Sequence, residues 1–451
     1  MKYAKILLVF LSSILFCQKS LCDSQKAFVS VPIADLTGDY LNGYRFNRLH
    51  LNGLHLDKNN LDIKKNNKYQ TYETLPLESK KGTSNCKRIN QALFNEIVEI
   101  ISEKDNQVQV KTLNTFYQNQ NPETKLITNQ SIYWAKKDNF ILFEDLEKAY
   151  LDKNLIPKAI KYSSKNIEKA NKNTVTLKLP FYDKVTNKTY SAGTRFVKTG
   201  KTQTKKYIQV FIFDPANGNS KLYTFKKTEI PLELCANHSK NKNNLTSKNA
   251  NKLKREEFLE ILKNWANIKN GFIPYVWGGS SYTQVCNKNK IAFDPEFKVY
   301  TRPEFNLAAN REFATREFAT PGLDCSGLVA RAAQICNIPY FYKNTLTARN
   351  NLTKIASLKD LKNGDLIIYN GHIIVVSDIK NNKIIEARTN EHGCGRVHEV
   401  VLSDVFYNIK TYQDLFNLRD TNLRDPKNIL ERIDTVGDRE KILAFDFYSL
   451  I

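Results

Sequence analysis

The chain has 451 residues, 41% hydrophobic and 11% aromatic, enough for two to four packed domains and too much for a wholly disordered chain. Its 68 Lys and Arg against 46 Asp and Glu give a formal charge of +22, either a compositional bias toward lysine or an attraction to an anionic polymer. No nucleic-acid-binding motif accompanies that charge, so nucleic acid is not the expected partner.

Lys2 and Lys5 precede an apolar run from Ile6 to Cys17. Ser20 and Cys22 then place small residues where a signal peptidase reads, ahead of Asp23. The run is too short to cross a bilayer, and no later stretch is long enough. An export signal over 1–22 is expected, hence a protein of the periplasm or cell envelope with no integral membrane span. Six cysteines remain after it: Cys86, Cys235, Cys286, Cys325, Cys336 and Cys394. They form no CxxC pair and no zinc spacing, so neither a metal nor a cofactor is expected.

"FVSVPIADL" (28–36) alternates like a strand, and "QALFNEIVEIISEKDNQVQVKTLN" (91–114) reads as two strands around a Lys104-Asp105-Asn106 turn. The polar stretch 37–85 has no steady period and reads as an insertion splitting a small β-barrel. "NTVTLKLPFYDKV" (173–185), "TRFVKTG" (194–200), "KYIQVFIFD" (206–214) and "SKLYTFKKTEI" (220–230) alternate between turn residues, the pattern of a second small barrel. The basic run 237–254 reads as a solvated linker. From 255, Phe258, Leu259, Ile261, Leu262 and Trp265 make a helical face closed by Gly271. "PYVWGG" follows, then an insertion of about 282–320 that contains the tandem unit "REFATREFAT".

In "GLDCSGLVARAAQICN" (322–337), Leu328, Val329, Ala332 and Cys336 follow Cys325 at helical spacing, with Asp324 as N-cap. A thiol there meets unpaired N–H groups and the positive end of the helix dipole, which favour thiolate and can hold an oxyanion. Cys325 is therefore either a nucleophile or a buried structural cysteine. A nucleophile needs a base, and "LKNGDLIIYNGHIIVVSD" puts His372 at the start of a strand. Asn381-Asn382 then signals a hairpin whose return strand carries Glu386 on the face toward the histidine, as a third, acidic member or as a solvated edge residue. His392 and His398 read as structural or exposed.

"PYVWGG", "DCSG", "NGDLIIY" and "GHIIVV" together resemble the NlpC-type cell-wall endopeptidases, papain-like cysteine peptidases, over 255–451. "VSVPIADL" and "QALFNEIVEI" resemble the bacterial Src-homology-3-type barrels that precede this domain in some members. The resemblance implies an SH3-like barrel over 23–150 with its insertion, a second over 151–236, and an α+β papain-like catalytic domain at the C-terminus. It implies Cys325 as nucleophile, His372 as base, and Tyr275 as the tyrosine bordering the nucleophile. Asp324 and Ser326 match polar groups of the peptide site, though both also serve as caps. Trp277 matches a groove wall, or simply packs beside Gly278-Gly279. The implied reaction is hydrolysis of the γ-D-glutamyl-diamino acid bond of peptidoglycan stem peptides or muropeptides. Where the family often orients its histidine with a second histidine or an amide, this chain has Glu386. The rival readings are an amidase or acyl transferase using the same cysteine, a non-catalytic wall-binding protein, and a nucleic-acid binder.

Overall fold

Strands dominate a mixed α/β chain, and their alternation is visible in the first sheet. The computed structural model describes residues 25–38, 40, 88–120, 124, 126–164, 167–200, 206–215, 223–236, 247–285, 292–294, 299–301, 321–388, 395–422, 428–434 and 437–451. The expected leader, most of both expected insertions, and Cys86, Cys286, His392 and Cys394 lie outside those residues.

In Gln107–Thr112 the core side chains Val108 and Val110 alternate with half-buried Gln109 and Lys111. The strand pairs with Ile97–Lys104 across a two-residue turn, Asp105-Asn106, in which Asp105 takes φ 53°. Seven antiparallel strands lie in the order Arg88–Leu93, Ile33–Thr37, Ile132–Lys136, Gln107–Thr112, Ile97–Lys104, Gln25–Val29 and Phe140–Leu142. Thr37 pairs directly with Arg88, so the strands flanking the expected 37–85 insertion are neighbours.

Between 174 and 231 the chain makes three two-stranded ladders: Thr174–Thr176 with Arg195–Val197, Phe181–Asp183 with Lys188–Tyr190, and Tyr207–Pro215 with Tyr223–Pro231. Isolated bridges join Lys198 to Val210 and Leu177 to Cys235, linking the first of these ladders to the third and to the segment that follows it. These ladders share one apolar core with the first sheet. Phe28 packs edge-on against Phe213 at 5.0 Å, and Phe94 meets Tyr190 at 4.7 Å.

The expected linker ends early. A helix runs from Ser247 to Ala266, so its first turns fall inside the stretch read as solvated. The polar start carries no apolar stripe to announce it, and Lys254 is held instead by Glu168 at 2.7 Å. The apolar half of the helix (Phe258, Ile261, Leu262, Trp265) packs with the Cys325–Ile335 helix on one face of a six-stranded antiparallel sheet. The sheet order is Thr353–Lys354, Phe445–Ser449, Leu366–Tyr369, His372–Asp378, Lys383–Arg388, Arg396–Val401. Leu366, Ile368, Ile373, Val375, Ile385 and Ala387 face those helices, while Ile367, Ile374, Val376 and Ile384 face a second core with Leu415 and Phe416 of the Tyr412–Asn422 helix. Burial on both faces explains why these strands read as continuous apolar runs. Among the described residues, no helix is long and apolar enough to cross a membrane.

Three glycines set how closely the Cys325 helix approaches its neighbours. A Cβ on Gly327 would sit 2.0 Å from the Gly279 carbonyl oxygen, one on Gly279 2.5 Å from that of Gly322, and one on Gly322 2.2 Å from Val276. The obstacles at Gly327 and Gly279 are backbone, so they cannot swing aside. Gly327→Ala is expected to push the first helical turn away from the 274–281 segment and cost about 1–3 kcal/mol. Thermal denaturation checks this: an unchanged melting temperature would contradict so tight a contact.

Candidate active site

Asp324 stands in extended backbone before the helix and accepts the Gly327 N–H, the first-turn cap that its position predicts. Its other oxygen pairs with buried Lys343 at 2.8 Å. The Ser326 hydroxyl lies between Asp324 Oδ1 (2.8 Å) and the Lys343 carbonyl, two acceptors for its one proton. Asp324 and Ser326 thus spend their polar atoms on the helix start and on each other. Cys325, the first helical residue, is 8% exposed.

Its sulfur faces the start of the His372 strand. Leu366–Tyr369 and His372–Asp378 are joined by the two-residue turn Asn370-Gly371, in which Gly371 takes φ 82°. The Cys325 thiol points at the Gly371 carbonyl at 3.9 Å, and the Ile373 and Ser326 N–H groups favour its thiolate. His372 is thereby flanked on both sides by backbone that touches the thiol. Its ring centroid is 5.4 Å from that of Tyr369.

Across the next ladder, Glu386 sits diagonally from His372 and directly opposite His398. It is a fully buried carboxylate with three donors. His372 Nε2 lies 2.7 Å from Oε2, His398 Nε2 lies 3.0 Å from Oε1, and Arg432 Nη2 also bonds Oε1. Arg432, itself buried, donates through Nη1 to the Tyr369 hydroxyl at 2.7 Å. A carboxylate buried without such partners would cost several kcal/mol.

The electrostatics follow from that burial. Burial by itself would raise the Glu386 carboxyl; Arg432, then His372 and His398, outweigh it and hold the group well below the ordinary carboxylate range. Burial lowers His372 below its ordinary value, against the hydrogen bond and charge of Glu386. Burial, and then Asp324, push the Cys325 thiol up to about 12, against the Ile373 N–H, Lys343 and the Ser326 N–H. The sequence predicts a thiol lowered by the helix terminus; the structure reverses this, because desolvating the sulfur outweighs a few oriented amides. Burial thus favours the neutral form of both groups, the thiol shifted up and the imidazole down.

Tyr275 is buried, donates its backbone N–H to the Gly395 carbonyl at 2.8 Å, and bridges to Leu323, two residues before Cys325. Trp277 is the outward residue of its segment, 36% exposed, with its carbonyl held by Arg88 Nε at 2.9 Å. Gln91 accepts the Ser280 N–H at 3.0 Å and the Ser281 hydroxyl at 2.7 Å, and Arg331 of the Cys325 helix pairs with Glu96 at 2.7 Å. The first sheet therefore closes a polar seam against the 277–281 segment that carries Trp277. The sequence reads His398 as structural or exposed, whereas it bonds Glu386, and gives Arg432 no role. For His398 a signal existed, since the pairing that orients Glu386 also places it opposite. For Arg432, on Leu430–Ile433 outside the main sheet, there was none. Among the described residues, no group of three or more His, Cys, Asp or Glu is disposed to hold a metal ion.

No family model and no curated protein matches the chain. Among solved structures it is similar to an NlpC/P60 family protein from Bacillus cereus ATCC 10987, at 14% identity and a TM-score of 0.42, covering 84% of this chain and 94% of that one. It is also similar to an NlpC/P60 endopeptidase from Photobacterium damselae subsp. piscicida, at 11% identity and a TM-score of 0.42, covering 95% of this chain and 74% of that one. NlpC2 from Trichomonas vaginalis gives 11% identity and a TM-score of 0.27 over 84% of this chain and 94% of that one. At such identities and scores, these likenesses do not by themselves fix an activity.

Proposed function

We propose that the protein is an exported cysteine peptidase of the bacterial cell wall that hydrolyses the γ-D-glutamyl-diamino acid bond of peptidoglycan stem peptides or muropeptides. The observation that carries the reading is the junction of Cys325 with the turn bearing His372, whose Nε2 is held by Glu386 at 2.7 Å. The chemistry follows from the hydrogen bonds. An ionised Glu386 accepts from Nε2–H, which leaves Nδ1 as the basic nitrogen. Nδ1 takes the thiol proton as sulfur attacks the scissile carbonyl carbon, and Glu386 stabilises the imidazolium. The imidazolium then protonates the departing amine as the tetrahedral centre collapses to a thioester. Water, giving its proton to His372, attacks the thioester; the C–S bond breaks, and acid and thiol are released. Because burial favours the neutral form of both groups, attack and proton transfer are coupled, and a substrate that excludes water strengthens the Glu386 contribution.

The motifs "PYVWGG", "DCSG" and "GHIIVV" support the bond specificity, with Tyr275 bordering the nucleophile and Trp277 as a groove wall. By analogy with the SH3-like barrels that precede this kind of domain in some members, the N-terminal half helps choose the stem peptide, including one with a free N-terminal L-Ala. Digestion of purified stem tetrapeptide, muropeptides and intact sacculi, read by mass spectrometry, tests the reading. Fragments split between γ-D-glutamate and the diamino acid are expected. Cleavage only at the sugar–peptide amide would make the protein an amidase, transfer to an added amine an acyl transferase, and no turnover of any of them would end the enzymatic reading.

A further inference from the structure

Glu386 has two oxygens, and only Oε2 serves His372. Oε1 is committed to His398 and Arg432. Arg432 does more than neutralise charge, because its second nitrogen holds the Tyr369 hydroxyl, and the Tyr369 ring lies against His372. The histidine is thus held from two directions by groups that Arg432 ties together. His398 reaches the carboxylate from the adjacent strand Arg396–Val401. Beside Glu386 is a cavity of about 460 Å³ lined by Glu386, His398, Arg432, Arg396, Glu399 and Phe272 among others. The described lining of this cavity includes neither Cys325 nor His372. The carboxylate is therefore a partition: one oxygen faces the candidate nucleophile's base, the other faces Arg432 and His398 beside an open space.

We propose that His398 and Arg432 are positioning residues that act on His372 through Glu386. They fix the carboxylate's rotation so that Oε2 stays on Nε2 and the imidazole keeps the tautomer with Nδ1 unprotonated. The inference rests on the peptidase reading for its kinetic consequences but not for its geometry. A carboxylate with one fixed oxygen can rotate; one with donors fixed at both oxygens cannot without breaking charge-assisted bonds. The charged groups bearing on His372 are Glu386, Arg432 and, more weakly, Glu440, so the loss of one donor is not masked by a distant one.

The test uses full-length protein carrying His398→Ala, His398→Gln and Arg432→Lys. Two quantities are read: kcat and KM on a stem peptide, and the rate of Cys325 alkylation by iodoacetamide as a function of pH. In His398→Ala, kcat is expected to fall about tenfold, or about 1.4 kcal/mol in barrier, with KM nearly unchanged. The alkylation profile is expected to move along the pH axis. His398→Gln retains a donor and should recover most of the loss, as should added imidazole entering the cavity of His398→Ala. Arg432→Lys keeps the charge but cannot bridge Glu386 and Tyr369, and should show the same displaced profile. Wild-type kcat with an unmoved alkylation profile would overturn the proposal. So would a loss of activity that tracks a fall in melting temperature while the profile stays put and imidazole restores nothing. Should wild-type protein cleave no stem peptide, the peptidase reading fails alone, and the alkylation profiles still decide whether His398 and Arg432 set the state of His372.

Discussion

Cys325→Ala is expected to abolish stem-peptide hydrolysis, by more than about 10⁴-fold, while leaving the fold in place. The two halves of this expectation have separate causes. No other described cysteine can substitute: the Cys235 sulfur faces the Pro231 carbonyl at 3.5 Å, and Cys336 closes the far end of the Cys325 helix. The fold tolerates the loss because the sulfur's hydrogen bond to the Gly371 carbonyl is long, 3.9 Å. Asp324, Ser326 and Lys343 hold the helix start without it. Circular dichroism and melting temperature should match the parent within a few degrees. Iodoacetamide should label Cys325 ahead of Cys235, because Cys325 stands at the turn that bears His372 and the Ile373 and Ser326 N–H groups favour its thiolate; mapping the label by peptide mass checks this. A Cys325→Ala protein that still cleaves would remove the assignment of the nucleophile.

Glu386→Gln should lower kcat by about 10²-fold or more with KM nearly unchanged, because the effect is on the orientation and charge of His372 and not on substrate contact. Glu386 raises the His372 imidazole against the lowering by burial. Its removal lowers that group further, so the acidic limb of the pH–rate profile should move to lower pH. Stability has its own signature. The Glu386 carboxyl is held well below its ordinary value, so its contribution is full above the unfolded value of about 4.5 and is lost as pH falls through the folded one. Near neutral pH the variant leaves Arg432 buried without its anion, at a cost of about 3–5 kcal/mol. As the solution is acidified the parent loses this advantage and the two melting temperatures should converge. A glutamine variant with parental kcat and an unshifted acidic limb would leave Glu386 a purely structural ion-pair member.

Much of the site is legible in sequence because each piece is local. Asp324 before a helical period gives the cap, Asn370-Gly371 gives the turn that puts His372 first on its strand, and alternation after Asn382 turns Glu386 to the histidine's face. The parts that were not legible depend on contacts distant in sequence. Arg432 reaches Glu386 from 46 residues downstream, and Lys343 reaches Asp324 from 19. The protonation state of Cys325 was misjudged for the same reason: a helix terminus is local, but the burial that outweighs it is assembled by the whole domain. The start of the Ser247–Ala266 helix escaped notice because its first turns have no apolar face. The shared core of the N-terminal sheet and the ladders escaped it because Phe28 and Phe94 look, in sequence, like the core of one barrel only.

The seam beside Trp277 also has a meaning in time. Gln91 waits for Ser280, 189 residues later, and Glu96 for Arg331, 235 residues later. Pairings of such separation form late, since loop-closure entropy must be met before they stabilise anything. As the chain emerges N-terminus first, the sheet is complete long before the segment it will support, and its seam groups stay hydrated until the Cys325 helix exists. The segment that carries Trp277 and the helix that begins at Cys325 thus settle against the first sheet only after the chain has grown past Arg331.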